Sequence, residues 1–213
     1  MENKPIAQAN SRRKWGAAPP GKIKIMEALK SLLEEKEFAS ITWGDIARRA
    51  EVTEGLIYKY FNDTKQLLFR VLEEYLRLFV DRLVVDLKGI EGSLNKLRRL
   101  IWSTIHFYAS NRVSARILLL EVRRYRIYFE SEAYQLVKEY SRILTEEIIE
   151  EGMKNGEIRD DISARYLRDI VFGCIEHLVL PSSLFDQELD VDELTRNACT
   201  ILFDTLSLKR DEE

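Results

Sequence analysis

Apolar side chains recur at helical spacing along nearly the whole chain. Ile25, Ala28, Leu29, Leu32 and Leu33 form one stripe, which predicts a helix from Lys22 to about Glu37 and then a short loop bracketed by Phe38 and Ile41. Thr42, with an acid three residues on at Asp45, reads as a helix start, because both the side-chain cap and the helix dipole favour it. That helix is predicted to reach about Ala50, with Ile46, Ala47 and Ala50 facing inward, and a tight turn at Glu51-Val52 ends it. Thr53 caps a short helix from Glu54 to about Tyr60, which Phe61 and Asn62-Asp63 break. Asp63 with Gln66 then opens a long helix through Leu67, Leu68, Val71, Leu72, Tyr75 and Phe79.

The rest of the chain repeats the pattern. Ser93 is expected to cap a helix through Leu97, Ile101 and Ile105, and a segment around Val113–Tyr125 follows. Ser131 opens a long helix to Met153, with Tyr134, Val137, Tyr140, Leu144 and Ile148 along one side. Asn155-Gly156 stops it, as a residue of positive φ past a helix end does. Ser163 caps the next, through Leu167, Ile170, Val171, Cys174, Ile175 and Leu178, and Pro181 is expected to end it. Asp190 with Glu193 opens the last, through Leu194, Ala198, Ile201, Leu202 and Leu206.

Residues 22–62 thus hold three short helices, the last two joined by a tight turn. This is the helix-turn-helix layout, with the third helix in the reading position. The expected fold is all-α: a flexible basic tail over residues 1–20 carrying Arg12, Arg13 and Lys14, a helix-turn-helix domain over 21–68, and a larger helical domain over 69–213. The last two helices carry stripes suited to pairing with their copies as a four-helix bundle about a two-fold axis.

Composition agrees with this reading. At 46% apolar residues, with 9 Gly and 4 Pro, the chain can build a core but is poor in turns for a many-stranded sheet. Charges interrupt every long apolar run, so no segment spans a bilayer, and no secretory leader is evident. A cytoplasmic protein is expected. Cys174 and Cys199 have neither CxxC spacing nor histidines at ligand spacing, which predicts reduced thiols, with no metal and no cofactor. Residues 1–70 hold 13 Lys and Arg against 9 Asp and Glu, whereas the remainder holds 20 against 27. A basic N-terminal third on an acidic body fits a nucleic-acid reader carried on a solvating partner domain.

Residues 41–61, from Ile41-Thr42-Trp43-Gly44-Asp45-Ile46-Ala47 through Ala50, Val52-Thr53 and Gly55 to Ile57-Tyr58-Lys59-Tyr60-Phe61, resemble the DNA-binding signature of the TetR family of transcriptional regulators, and residues 62–68 continue the match. The resemblance is strong over about residues 22–75. It implies a repressor that binds double-stranded operator DNA as a homodimer and is released by a small ligand, with residues 69–213 as the ligand-binding and dimerisation domain. It places Thr42, Trp43, Thr53, Glu54, Gly55, Tyr58, Lys59, Tyr60 and Lys65 at the DNA. Physical chemistry agrees: Gly55 permits close backbone approach, and Tyr58, Lys59 and Tyr60 bring hydroxyl and ammonium donors within one turn. Glu54 repels phosphates but can accept from a cytosine amino group. Three departures stand out. Glu51 occupies the turn where the family has Gly, Thr64 stands where the family often has Lys, and Trp43 is bulkier than usual.

Leu120-Glu121-Val122-Arg123, Gly156-Glu157-Ile158-Arg159 and the run from Leu167 to His177 resemble the fatty-acid-responsive branch of that family. Its members release DNA on binding long-chain acyl-coenzyme A. An apolar and aromatic lining of Phe107, Tyr108, Leu119, Tyr125, Phe129, Tyr140 and Phe172 suits an acyl tail. Arg116, Arg123, Arg124 and Arg126 suit phosphates, and Glu176 and His177 complete the expected ligand set. The same residues also read as ordinary core and surface ion pairs. An enzyme is not expected: there are only two histidines, His106 and His177, no Gly-rich phosphate loop and no clustered ligand spacing. The remaining alternative is a helical lipid- or partner-binding protein with a degenerate helix-turn-helix.

Overall fold

The computed structural model describes residues 19–185 and 187–207. Arg12, Arg13 and Lys14 of the expected basic tail lie outside the described residues. The chain forms two compact units that divide between Glu74 and Tyr75.

In the first unit, α1 spans Pro20–Glu35, α2 Trp43–Ala50 and α3 Glu54–Tyr60, and α4, Thr64–Leu87, begins there. Helix α1 starts and stops two residues earlier than its stripe predicts. Pro20 sits in its first turn, where a missing N–H costs nothing, and Lys36 is extended. A single 3₁₀ turn, Phe38–Ser40, replaces the expected loop and buries Phe38. Thr42 and Asp45 form a reciprocal capping box at α2, and Thr53 caps α3 through the Leu56 N–H. Gln66 and Asp63 close the start of α4: the Gln66 N–H donates to Asp63 at 2.7 Å, and the Asn62 N–H donates to Gln66 at 2.8 Å. Ile25, Leu29, Leu33, Ile46, Ile57, Leu67 and Leu68 are fully buried between these helices. Arg49 forks onto Glu35 (2.9 and 2.8 Å), tying the end of α1 to α2.

In the second unit, α5 spans Ser93–Ser110 and α6 Arg112–Arg116. A π-wound turn, Ile117–Glu121, and two 3₁₀ turns, Val122–Arg124 and Arg126–Glu130, follow. Helix α7, Glu132–Arg142, runs on through π-wound Ile143–Glu150 into α8, Glu151–Lys154. Helices α9, Ala164–Phe185, and α10, Val191–Leu206, complete the unit. Leu97, Leu100, Ile101, Ile143, Leu144, Leu167, Val171 and Leu202 fill the core where α5 meets α9, α10 and the π-wound segment.

Two sequence expectations fail here. Ser93 is not a cap: it is the first residue of α5 and is buried, with Gly92 at the cap position in a left-handed conformation (φ 81°). The cap comes from Glu157, whose carboxylate accepts from the Ser93 N–H at 2.8 Å and the Leu94 N–H at 3.4 Å. Pro181 does not end its helix, because α9 continues to Phe185. The proline ring deletes one N–H donor, but burial of Val179 and Ser182 on either side holds the helical path. Gly156 does carry the positive φ expected past α8, at 71°.

Candidate functional sites

The N-terminal turn of α2 and the outer face of α3 form one surface. Its organiser is Trp43, whose ring meets the Tyr58 ring edge-on, with centroids 5.7 Å apart. Tyr58 is 54% exposed, and the Trp43 contact restrains its ring on one side. Gly44 makes room beneath: the Glu54 carboxylate lies 3.4 Å from where a Cβ on Gly44 would stand. Thr53, Glu54, Gly55 and Lys59 are all exposed. A Cβ on Gly55 would meet only its neighbour Thr53, at 3.9 Å, so nothing inside the unit demands glycine there. Tyr60 is half-buried; its ring lies 3.7 Å from the Cβ position of Gly21, and the Lys59 ammonium lies 5.8 Å from its centroid. Lys65 is exposed on the first turn of α4.

Thr42 is committed to its cap. Its hydroxyl donates to Asp45 Oδ2 at 2.9 Å and accepts from the Asp45 N–H at 3.2 Å. The Thr42 N–H and hydroxyl, with Lys36 3.4 Å away, hold the Asp45 carboxyl below its ordinary value. Two neighbours escaped sequence reasoning. Gly44 stood in the signature with no role of its own until Glu54 was placed beside it, and Arg48, with its side chain 81% exposed, looked like any surface arginine.

In the second unit, the expected ligand residues separate into a tight cluster and outliers. Phe107 packs on Phe79 (4.8 Å), Phe79 on Tyr140 (5.5 Å), and Tyr140 stacks on Phe172 (5.1 Å). Tyr108 joins edge-on to Phe107 at 5.6 Å. The Tyr140 and Thr104 hydroxyls are 2.7 Å apart; Thr104 donates onward to the Leu100 carbonyl, so Tyr140 is the donor between them. Arg123 grips Glu176 with both guanidinium nitrogens, one bond at 3.0 Å. Glu176 sits one helical turn beyond Phe172 on α9, so the ion pair stands at the end of the aromatic stack.

Burial pushes the Tyr108 and Tyr140 hydroxyls well above the ordinary phenol value, with Glu176 adding to both shifts. Burial does the same at Tyr128, against the opposing charge of Arg123. All three phenols therefore remain protonated.

Phe129 is 45% exposed and packs on Tyr134 (5.0 Å) and Tyr128 (5.4 Å) instead of on the stack. Arg116, Leu119 and Tyr125 are half-buried along the irregular segment, and His177 is exposed. Arg124 pairs with Glu121 and lies over the Tyr125 ring at 5.2 Å. Phe79 and Thr104 belong to the cluster although sequence reasoning missed them; an aromatic or small polar residue on a helical stripe gives the same pattern in any core. A groove of about 430 Å³ lies elsewhere, between α5 and α10. Its Trp102 is saturated: the indole N–H donates to Asp192 (2.9 Å), and His106 and Arg99 lie 4.7 Å from its ring. No group of three or more potential metal ligands occurs among the described residues. No helix among them is long and apolar enough to cross a membrane.

Helices α9 and α10 expose Tyr166 (67%), Ile170 (47%), Leu184 (50%) and Ile201 (66%).

Comparison with known proteins adds to this geometry. Residues 25–71 match the family model for bacterial regulatory proteins of the tetR family, and residues 72–205 match that for the YsiA-like protein C-terminal region. The fatty acid metabolism regulator protein of Bacillus subtilis (strain 168) is 26% identical over 183 residues, which is 86% of this chain and 94% of that one. The crystal structure of Bacillus subtilis FadR in complex with stearoyl-CoA matches with a TM-score of 0.76 at 26% identity, covering 85% of this chain and 97% of that one. Bacillus halodurans FadR, a fatty acid degradation regulator, shares the fold with a TM-score of 0.77 at 23% identity, covering 87% and 96%. With both parts of the chain matched and the helix-turn-helix in place, this chain belongs to the tetR family of bacterial regulatory proteins.

Proposed function

We propose that the chain is a cytoplasmic repressor that binds double-stranded operator DNA as a homodimer and lets go when a long-chain acyl-coenzyme A or fatty acid enters the second unit. The observation that carries DNA reading is the exposed edge of α3: Gly55, Tyr58 and Lys59 face outward, and Trp43 braces Tyr58 from behind. Gly55 is small there for an external partner's sake, since the folded unit leaves its Cβ position open. Thr53, Glu54, Tyr60 and Lys65 flank that edge, and Thr42 serves through its cap.

The stripe of Tyr166, Ile170, Leu184 and Ile201 is the face for the second copy. A two-fold dimer sets its reading helices about 34–36 Å apart, one turn of DNA, or somewhat more. The acyl reading rests on the Phe79–Phe107–Tyr140–Phe172 stack ending at Arg123 and Glu176, and on the stearoyl-CoA complex of the Bacillus subtilis relative. Arg116, Leu119, Tyr125, Phe129 and His177 border that site less directly. A tail between the rings requires them to part, which ties ligand entry to a change in packing.

Fluorescence anisotropy on duplex DNA from upstream of the gene, with palmitoyl-CoA titrated in, tests both halves. Lys59→Ala is expected to weaken binding across sequences and to lower the salt slope by about 1. Absence of DNA binding at low salt overturns the repressor reading. Binding indifferent to palmitoyl-CoA and palmitate overturns the ligand.

A further inference from the structure

We infer that the Arg123–Glu176 pair is a latch: it holds the second unit in its DNA-competent conformation, and the anionic end of an acyl ligand opens it by taking Arg123 from Glu176. The inference rests on the acyl reading above only for the identity of the opener.

The pair joins residues 53 apart in sequence, and its two sides differ in winding. Glu176 stands on α9, which is α-helical over 22 residues and keeps that path through Pro181. Arg123 stands in a stretch made of one π-wound turn and two 3₁₀ turns. Such windings have poorer hydrogen-bond geometry than an α-helix and recur where a segment has two arrangements. The stretch is anchored by Ile117, Leu118, Val122 and Tyr128, which are buried, while Arg123 and Arg124 are exposed. The bidentate pair is therefore a specific polar tie between a pliable segment and a rigid one.

Its position suits a competitor. Glu176 lies one turn from Phe172, at the end of the aromatic stack, so a tail beside Phe172 and Tyr140 carries its head group to Arg123. A guanidinium presents the same fork to a ligand carboxylate or phosphate as to Glu176, and a phosphate brings more charge. The Glu176 side chain is already 36% exposed while paired, so water can take the place of Arg123 and opening leaves no buried charge behind.

The test uses the full chain and operator duplex without ligand. R123Q and E176Q are each expected to weaken operator binding about 5-fold, with far-UV circular dichroism and melting unchanged. The double variant should be no weaker than either single variant, because one tie is lost in all three. The swapped R123E/E176R variant restores the pair and should recover most of the affinity. Single variants that bind operator as the wild type does, or losses that add in the double variant, overturn the latch.

Ligand binding is measured separately. Palmitoyl-CoA affinity is expected to rise in E176Q, where nothing competes for Arg123, and to fall in R123Q; the reverse order overturns the competition. Palmitate acting like palmitoyl-CoA assigns the carboxylate as opener, and palmitoyl-CoA acting alone assigns the phosphates. If ligand-free affinities fall as expected while the wild type ignores both compounds, the latch stands and the acyl reading falls.

Discussion

Replacing Glu51 by glycine should stabilise the first unit. Glu51 sits at φ 56° and ψ 46°, the only non-glycine residue of positive φ among the described residues. It closes α2: its N–H reaches the Arg48 carbonyl at 3.4 Å, and the Val52 N–H reaches the Ala47 carbonyl at 3.0 Å. This crossed pair is the usual way a helix spends its last carbonyls, and glycine is the residue that does it without crowding. A Cβ in the left-handed region costs about 1–2 kcal/mol. Glycine removes that cost but broadens the unfolded ensemble, which takes back up to about 1 kcal/mol. The expected net gain is about 0.5–1 kcal/mol, a rise in melting temperature of a few degrees. Thermal and guanidinium unfolding of the full chain reads it directly. Glu51→Ala is the control, since it keeps the Cβ and removes only the carboxylate. The expected order is glycine above wild type, with alanine no better than wild type. If E51A gains as much as E51G, or E51G melts no higher than wild type, backbone strain is not what Glu51 contributes. Operator affinity separates the charge: it should rise in both variants, most at low salt, because both remove a negative group close to the DNA-facing surface.

Three further outcomes follow from the geometry. Glu157→Ala should destabilise the second unit by about 1–2 kcal/mol, because it strips the carboxylate from the first N–H groups of α5; chemical denaturation measures it, and E157Q should recover part. Gly152→Ala should cost about 1–3 kcal/mol, since the new Cβ would stand 2.7 Å from the Ile158 Cδ1 and 2.8 Å from the Ser93 Cβ; melting at the wild-type temperature would contradict so close an approach. Asp45 makes the first unit acid-sensitive. Its folded carboxyl lies below its ordinary value, so its stabilisation is complete above about pH 4 and fades as pH falls through the folded value. Asp45→Asn should flatten the stability profile over that window, and an unchanged profile would remove Asp45 as the cause.

The first unit was legible in the sequence because its instructions are local. A cap such as Thr42 with Asp45, Thr53 before Leu56, or Asp63 with Gln66 acts over three residues, and an amphipathic stripe over four, so neighbours in sequence settle the helices. Even the left-handed turn at Glu51 was visible as a departure where glycine is expected. The second unit kept its decisive contacts from view because they are long-range. Glu157 caps α5 from 64 residues away, so Ser93 looked like the cap and is not. Phe79 reads as one more apolar position of α4 until folding sets it between Phe107 and Tyr140. Pro181 reads as a helix end until burial on both sides carries α9 past it. Arg123 and Glu176 read as members of one ligand set or as surface charges, and only folding makes them each other's partner. Helix formation depends on free energies between residues three or four apart, which sequence order displays. The choice of which side chains meet across helices depends on how whole stripes pack, and only the tertiary structure decides that.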